Sequence, residues 1–510
     1  MKTLKNFQKY RRFSSSSSSP SFTENVLETV KSFKEIPGPK PLPIIGNLWR
    51  YLPIIGEYSL ERMYENGCYN LKHYGHIVRE EISEKHKILH LFDPDHMESM
   101  FQQQQQYPYR RSHRALIKYR HDRPDKYQSG GIFPENGDEW KRLRDLFKHY
   151  FLRPNFIQVY DQQLNEIVND LIKMIRYERQ KSNNYLNDDF QQFLYRWSLE
   201  SICSIMLDAR VGCLDRNNID GAKMIEGGHK TLYAVMRTEL YDGWERKPTK
   251  DYECLVEGQD LMASVVEKYL NQRFNDVESS SSFNDENDKY EQTILEQLIR
   301  DPKITRKDLF GIVMDFIFAG IDTTSITAGF TLYFLAKNPN IQQRLAEELK
   351  QVVGDDGLFR AEHFNHTPLL KACVKETLRL RPISIGVGRL ATNDMIIDGY
   401  HIPKNTMIIT QNQVACQLPE YYCQPNEYQP DRWLGSNRNR QHRRYLYIPF
   451  GHGTRMCLGR RIAELELNIL LANIIYQFRI ECSPKLNIGQ RTKLINLPDR
   501  PIKLQFIDRK

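Results

Sequence analysis

The segment that most constrains this chain lies near its C-terminus, where ten residues surround one cysteine: Phe450-Gly451-His452-Gly453-Thr454-Arg455-Met456-Cys457-Leu458-Gly459. Glycines let the backbone fold closely around the sulfur and tolerate the positive φ angles of such a loop. Arg455 adds a cation, and the helix formers at 460–467 predict that Cys457 directly precedes a helix, whose N-terminal dipole favours an anion. This surrounding stabilises a buried thiolate, the form in which cysteine binds a metal. The simpler alternative is a structural cysteine beside a glycine turn.

The spacing Phe-x-x-Gly-x-Arg-x-Cys-x-Gly resembles the heme-binding loop of the cytochromes P450. The resemblance implies a mainly α fold with small β-sheets, a single large heme-binding domain over residues 33–510. It also implies heme b as the cofactor, with Cys457 as the axial thiolate ligand of the iron. We therefore expect a monooxygenase that uses O2 and an apolar small molecule, with further sites in a fixed order along the chain.

The first of these sites lies in a long apolar run, residues 309–335, preceded by Thr305, which predicts an N-cap and a long helix. Within it, Ala319-Gly320-Ile321-Asp322-Thr323-Thr324 resembles the family's central helix over the heme. The resemblance implies that its glycine leaves room for dioxygen, while Asp322 and Thr323 supply an acid and a hydroxyl for proton delivery. The alternative is a threonine that only bonds its own backbone.

The second site contains a Glu-x-x-Arg motif. Its two charged residues, Glu376 and Arg379, lie on one face of a helix and have opposite charges. By resemblance, Arg432 in the segment Gln429-Pro430-Asp431-Arg432-Trp433 is the third member. The family resemblance implies that these three residues lock a loop beneath the heme, which is a structural role and not a catalytic one.

The third site is the pair Trp140 and Arg144, one helical turn apart. The planar guanidinium of arginine suits a carboxylate because it donates paired hydrogen bonds. By resemblance, this pair binds a heme propionate, and Arg389 and Arg455 do so as well. The alternative for any one of the arginines is a solvated surface charge.

Composition agrees with a packed, mostly helical enzyme. The chain has 510 residues, 40% of them hydrophobic, and its nine cysteines have no paired spacing, so disulfides are not implied. Short strands are predicted at Met395–Ile397 and Thr406–Thr410. The long apolar helix could be mistaken for a membrane span, but Asp315 and Asp322 interrupt it, so we expect a buried core helix.

The composition of the N-terminal residues predicts where in the cell the protein is located. Residues 1–23 are basic, contain no acidic residue and include the serine run Ser14–Ser19, which is the composition of a mitochondrial transit peptide. We place transit peptide and linker at residues 1–32 and expect a protein on the matrix side of the inner membrane, in peripheral contact with it. The alternative is a disordered basic tail that does not target the protein to any compartment.

Lys371 and Lys375 lie four residues apart on the Glu-x-x-Arg helix, and Arg460 and Arg461 follow the cysteine. These positions resemble the mitochondrial branch of the family, in which such lysines receive an acidic ferredoxin that is reduced by an NADPH-dependent reductase. The alternative is a solvated basic helix face. We expect no nucleic-acid partner.

Several N-terminal segments, among them Arg110-Arg111-Ser112-His113 and Gly130–Gly137, resemble an arthropod subgroup that hydroxylates the sterol side chain at C22 in moulting-hormone (ecdysteroid) biosynthesis. Phe133, Glu135 and Thr454 depart from the expected pattern. Two alternatives stay open: a mitochondrial enzyme that oxidises xenobiotics, and a heme-thiolate isomerase or dehydratase without a redox partner. A non-catalytic heme sensor or carrier would need neither the relay nor the lysines.

Overall fold

The computed structural model describes most of the chain. The described residues are 30–52, 54–83, 86–104, 107–152, 158–180, 186, 189–239, 243–279, 292–354, 357–435 and 444–509. The predicted transit peptide therefore lies almost wholly outside the described residues. Lys31 lies inside the predicted linker but is hydrogen-bonded to the folded domain, because its backbone N–H donates to the carbonyl of Gly399 at 3.0 Å.

Helices dominate the described chain, as the apolar periodicity predicts. They are α1 Met63–Tyr74, α2 Pro94–Gln102, α3 Arg114–His121, α4 Gly137–Phe151, α5 Asp161–Gln180, α6 Phe190–Leu207, α7 Ile219–Glu239, α8 Lys250–Ser279, α9 Ile294–Arg300, α10 Arg306–Lys337, α11 Pro339–Val352, α12 Pro368–Leu380, α13 Asn412–Ala415 and α14 Arg460–Gln477.

Within the described ranges, ten short strands form the sheets. They are β1 Ile77–Ser83, β2 His86–Leu91, β3 Gly388–Leu390, β4 Met395–Ile397, β5 Tyr400–Ile402, β6 Met407–Thr410, β7 Phe478–Glu481, β8 Gln490–Lys493, β9 Ile495–Pro498 and β10 Gln505–Asp508. One sheet has the order β1-β2-β6-β3, with a parallel β2/β6 pair between two antiparallel pairs. The pairs β4/β5, β7/β10 and β8/β9 are separate and antiparallel.

The predicted central helix, α10, is the axis of the hydrophobic core. Thr305 caps its N-terminus by accepting a hydrogen bond from the Asp308 N–H at 3.0 Å. By length and composition α10 could cross a membrane, but 78% of its apolar window is buried inside the protein. The expectation of a core helix is confirmed, because α6, α12 and α14 pack around it.

The fold agrees with the sequence in several further respects. The mainly α architecture with small sheets is confirmed, the two predicted strands form as β4 and β6, and all nine cysteines are free. The helix after Cys457 begins at Arg460, as predicted.

Candidate functional site

A cavity of about 550 Å³ lies beside α10. Its walls come from α4, α10, α14, the segment after α12, and the loop that carries Cys457. The size is in the range of sites that enclose a small organic ligand. The cavity therefore brings together elements that are more than 300 residues apart in the sequence.

Cys457 lies on the wall of this cavity and is accessible there, while protein atoms enclose the loop on its other sides. Gly451 and Gly453 have φ angles of 75° and 76°, which side chains rarely adopt, so the loop requires glycine at both positions. Burial raises the pKa of the thiol, and the N–H of Gly459, Arg144 and Arg110 act in the opposite direction. Burial therefore favours the neutral thiol, and the Gly459 N–H and the two arginines are the groups that would stabilise the thiolate once a metal replaces the proton.

Asp322 and Thr323 reach the same cavity from the middle of α10. Burial raises the pKa of the Asp322 carboxyl to about 7, where a carboxyl both gives and takes protons near neutral pH. The hydroxyl of Thr323 donates to the carbonyl of Ala319 at 2.8 Å, which is the backbone bond that the sequence left open as an alternative. Its oxygen can still accept a hydrogen bond from a partner in the cavity.

Gly320 differs from the expectation. A side chain here would start 2.9 Å from the Cγ1 atom of Ile202 on α6 and would not point into free space. Its carbonyl also accepts a hydrogen bond from the Ser198 hydroxyl at 3.0 Å. Glycine at position 320 therefore allows α6 to pack closely against α10. Gly320 also borders the cavity.

The predicted propionate-binding residues meet at the cavity wall: Trp140, Arg144, Arg389 and Arg455 all line it. The guanidinium carbon of Arg455 lies 4.2 Å from the centroid of the Trp140 ring. Arg455 donates to the carbonyls of Pro108 at 2.5 Å and Glu135 at 2.6 Å, but its buried Nη1 has no partner among the described residues.

Sequence reasoning assigned no role to Arg110, which joins this cluster. Burial, together with neighbouring arginines, lowers the pKa of Arg110 to about 10, of Arg389 to about 9 and of Arg455 to about 8. Lowered values show buried positive charge that the nearby anions do not balance. The signal in the sequence was the pair Arg110-Arg111 without a nearby acid.

This donor set fits heme b. The cavity offers one accessible cysteine for an iron, and four arginines with excess positive charge suit a group that carries two carboxylates. Trp140 adds a flat apolar face beside them.

Glu376, Arg379 and Arg432 are in contact and buried. Arg379 donates two hydrogen bonds to the Glu376 carboxylate, at 2.8 and 2.9 Å, and Arg432 donates one at 3.0 Å. The Trp433 indole donates a further bond at 2.8 Å. The network connects α12 to the segment 429–433, which supports the structural role expected for these residues.

Lys371 and Lys375 lie half-buried on α12. Lys375 lies 6.0 Å from the Trp433 ring centroid, and burial lowers the pKa of Lys371. Arg460 contacts Glu464 at 2.8 Å, so part of the expected basic face is already neutralised.

A second acid that the sequence reasoning missed is Glu466 on α14. It is buried and lines the cavity, one carboxyl oxygen has no partner among the described residues, and burial raises its pKa to about 8. Its hydrogen bond to Thr324 joins α14 to α10 beside the Asp322–Thr323 pair. An acid on an otherwise apolar helix face was the available signal.

Comparisons with known proteins agree with this geometry. The cytochrome P450 family model matches residues 36–506. In Drosophila melanogaster, the chain is 33% identical to cytochrome P450 302a1, mitochondrial, over 94% of this chain and 96% of the relative. It is 31% identical to probable cytochrome P450 301a1, mitochondrial, over 93% and 87%. It is also 27% identical to ecdysone 20-monooxygenase, over 93% and 88%.

These relatives confirm the predicted resemblance to the mitochondrial branch. The match begins before α1 and ends within the last strand, β10, so it covers all the helices and nearly all the strands of the described fold. The chain belongs to the cytochrome P450 family of heme-thiolate monooxygenases.

Proposed function

We propose that this protein is a mitochondrial monooxygenase that hydroxylates an ecdysteroid precursor at side-chain carbon C22, with electrons from a ferredoxin. The observation that carries the proposal is the largely apolar cavity shared by Cys457 and the Asp322–Thr323 pair. Similarity to relatives named mitochondrial, and to one named ecdysone 20-monooxygenase, supports the compartment and the substrate class. The C22 position rests on the N-terminal segments that resemble the arthropod subgroup.

When bound, heme supplies an iron that binds O2 and, with thiolate as its ligand, promotes cleavage of the O–O bond. Cys457 is the residue that would hold the iron. Trp140, Arg144, Arg389 and Arg455, together with Arg110, would hold the propionates. Their excess positive charge is the physical reason for this assignment.

Proton delivery is assigned to two residues of α10, Asp322 and Thr323. Asp322 has a pKa near neutrality and lines the cavity, so it can carry a proton from the protein interior to the reaction site. Thr323 positions that proton, because its hydroxyl is held by the Ala319 carbonyl and its oxygen accepts no hydrogen bond from the described residues.

Ferredoxin docking is assigned to Lys371 and Lys375 on α12. The two lysines lie on the helix that also holds Glu376 and Arg379. The buried ion pair of Glu376 with Arg379 therefore fixes the helix that carries both lysine charges. An acidic partner is attracted to such a face, and the attraction weakens as salt screens it.

Peripheral contact with the inner membrane is supported by an apolar segment at residues 42–60. Ile44 and Ile54 are 97% and 96% exposed, and six further large apolar side chains of this segment are exposed. These six are Leu42, Ile45, Leu48, Leu52, Ile55 and Leu60. Exposed apolar patches of this kind mark interaction sites, and lipid is the partner proposed here. The transit peptide and linker proposed at 1–32 end nine residues before this segment.

Reconstituted turnover tests the proposal. The purified heme-loaded chain without residues 1–23 is combined with mitochondrial ferredoxin, its reductase, NADPH and a 22-deoxy ecdysteroid precursor. The expected product gains one oxygen at C22, identified by mass and fragmentation. Ferredoxin-dependent heme reduction without product would reject the steroid assignment and favour the xenobiotic alternative. Conversion of a hydroperoxide without ferredoxin would favour the isomerase.

A further inference from the structure

One corner of the cavity is polar although the cavity is otherwise largely apolar. His113 and Asp315 line it there, and Arg120 lies directly behind them, with its Nη2 atom 2.7 Å from Asp315 Oδ1. We call these three residues the polar corner. Arg120 and Asp315 are completely buried, and His113 is 6% exposed.

The polar corner has unused hydrogen-bonding capacity. Both ring nitrogens of His113 and Nε of Arg120 are buried without a hydrogen-bond partner among the described residues, whereas Arg120 Nη2 and Asp315 Oδ1 pair with each other. An unsatisfied buried polar group costs about 1–3 kcal/mol. Folded proteins keep few such groups, and each needs an explanation, of which a bound polar ligand is one.

The geometry of His113 is also unusual. Its φ and ψ angles are 62° and 34°, a left-handed conformation that costs free energy for any residue with a side chain. The Phe133 ring meets the imidazole edge to face at 4.5 Å, and the Phe133 N–H donates to Asp315 Oδ2 at 3.1 Å. The loop around Phe133 and α10 thus hold the histidine at the cavity.

The imidazole is neutral at physiological pH. Burial and the two arginines, Arg110 and Arg120, lower the pKa of His113 to about 3. A neutral imidazole has one N–H donor and one nitrogen acceptor. This pair is complementary to a hydroxyl group, which both donates and accepts, and the donor alone is complementary to a ketone.

We propose that His113 is a specificity-determining residue that recognises a hydroxyl or oxo group on an otherwise apolar substrate. The inference rests on the proposed function and deepens it, since the recognised oxygen would be the one on the sterol ring system. Both nitrogens are covered by protein atoms, so this recognition requires the imidazole to rotate toward the cavity.

The spacing along α10 supports this arrangement. Asp315 and Asp322 are two helical turns apart, roughly 10 Å along the axis, and both line the cavity. A fused four-ring sterol is of similar length. With its ring oxygen at the polar corner, its side chain would reach the region of Asp322.

Equilibrium binding of matched probes tests the inference on the heme-loaded full chain. The probes are cholest-5-en-3β-ol and its 3-deoxy analogue cholest-5-ene. We expect the wild-type protein to bind the hydroxylated probe about three to ten times more tightly, as one net hydrogen bond predicts. In His113→Leu the preference should fall below about twofold, with affinity for the deoxy probe nearly unchanged.

His113→Asn is the matched control, because asparagine tolerates the left-handed conformation and keeps a donor and an acceptor, so it should retain the preference. His113→Gly replaces the leucine variant if that one misfolds. Equal loss of affinity for both probes in His113→Leu would indicate a purely structural histidine and overturn the inference. An unchanged preference would overturn it as well.

A non-steroid pair, 4-nonylphenol and nonylbenzene, separates this inference from the proposed function. A His113-dependent preference for the phenol, without sterol binding, would reject the sterol assignment and keep the role of His113. A wild-type protein that prefers the hydroxylated member of neither pair contradicts the inference.

Discussion

The guanidinium of Arg455 lies over the Trp140 ring, 4.2 Å from its centroid, and so joins the loop of Cys457 to α4. A cation over an indole face is attracted by the ring quadrupole, most strongly when both are desolvated. Arg455 is 9% exposed and Trp140 is 2% exposed. The contact therefore fixes a buried cation at the wall where the propionates are proposed to bind.

Arg455→Lys should lower the heme bound per chain severalfold. Lysine keeps one charge but loses the planar fork that reaches Pro108, Glu135 and a carboxylate together. The pyridine hemochrome assay measures heme per chain. Arg461→Lys is the matched control, since Arg461 is exposed and outside the cavity wall. Equal heme retention in both variants would contradict the assignment.

Thr323→Ala should lower the product formed per NADPH severalfold, because the hydroxyl proposed to position the proton is lost. Thr331→Ala is a close control on the same helix. Its hydroxyl makes the same kind of bond, to the Thr327 carbonyl at 2.7 Å, but it does not line the cavity. Product and NADPH are measured together, and similar coupling in both variants would exclude the relay.

The double variant Lys371→Glu with Lys375→Glu should raise the ferredoxin KM at least tenfold, since charge at the proposed docking face is reversed. The heme spectrum should not change. Lys485→Glu with Lys503→Glu is charge-matched on exposed lysines away from α12. Ferredoxin-dependent reduction is measured against salt concentration, and a KM that does not respond would remove the docking hypothesis.

Asp322→Asn should stabilise the protein at pH 8 more than at pH 5. Burial raises the pKa of Asp322 from 3.8 to about 7, so the native state holds a proton that the unfolded state has lost between these values. Stability of the wild-type protein therefore falls as pH rises across that window, by about 2–4 kcal/mol from this group, and asparagine removes the effect.

Urea unfolding at both pH values measures the difference. The exposed Asp125→Asn serves as the control and should give the same difference from wild type at each pH. If the advantage of Asp322→Asn were equal at pH 5 and pH 8, the raised pKa would be disproved.

Ile44→Asn with Ile54→Asn should reduce binding to liposomes of inner-membrane composition severalfold. Both side chains are almost fully exposed, and Ile44 has a φ angle of 69°, which is strained for a β-branched residue and tolerated by asparagine. Ile219→Ser, 71% exposed on α7, is the control. Vesicle flotation provides the readout, and undiminished binding would place the membrane contact elsewhere.

The sequence predicted the parts of the site that depend on local patterns. The glycines around Cys457, the helix that follows it, the cap at Thr305 and the spacing of Glu376 and Arg379 are all written within a few residues of one another. Turn geometry, helix dipoles and i,i+3 pairing act over that range, so these features could be recognised before the fold was known.

Only the tertiary structure decided which distant groups share an environment. It placed Arg110 beside Arg144, and it placed Ile202 where a side chain at position 320 would lie. It also buried His113 beside the ion pair of Arg120 with Asp315. The physical reason is that burial and charge compensation depend on neighbours brought from far along the chain. The sequence by itself determined that a glycine-bounded cysteine precedes one helix and that an acid and a hydroxyl interrupt another, from which it predicted a thiolate ligand and a proton relay, and tertiary packing determined the burial and charge that surround these residues.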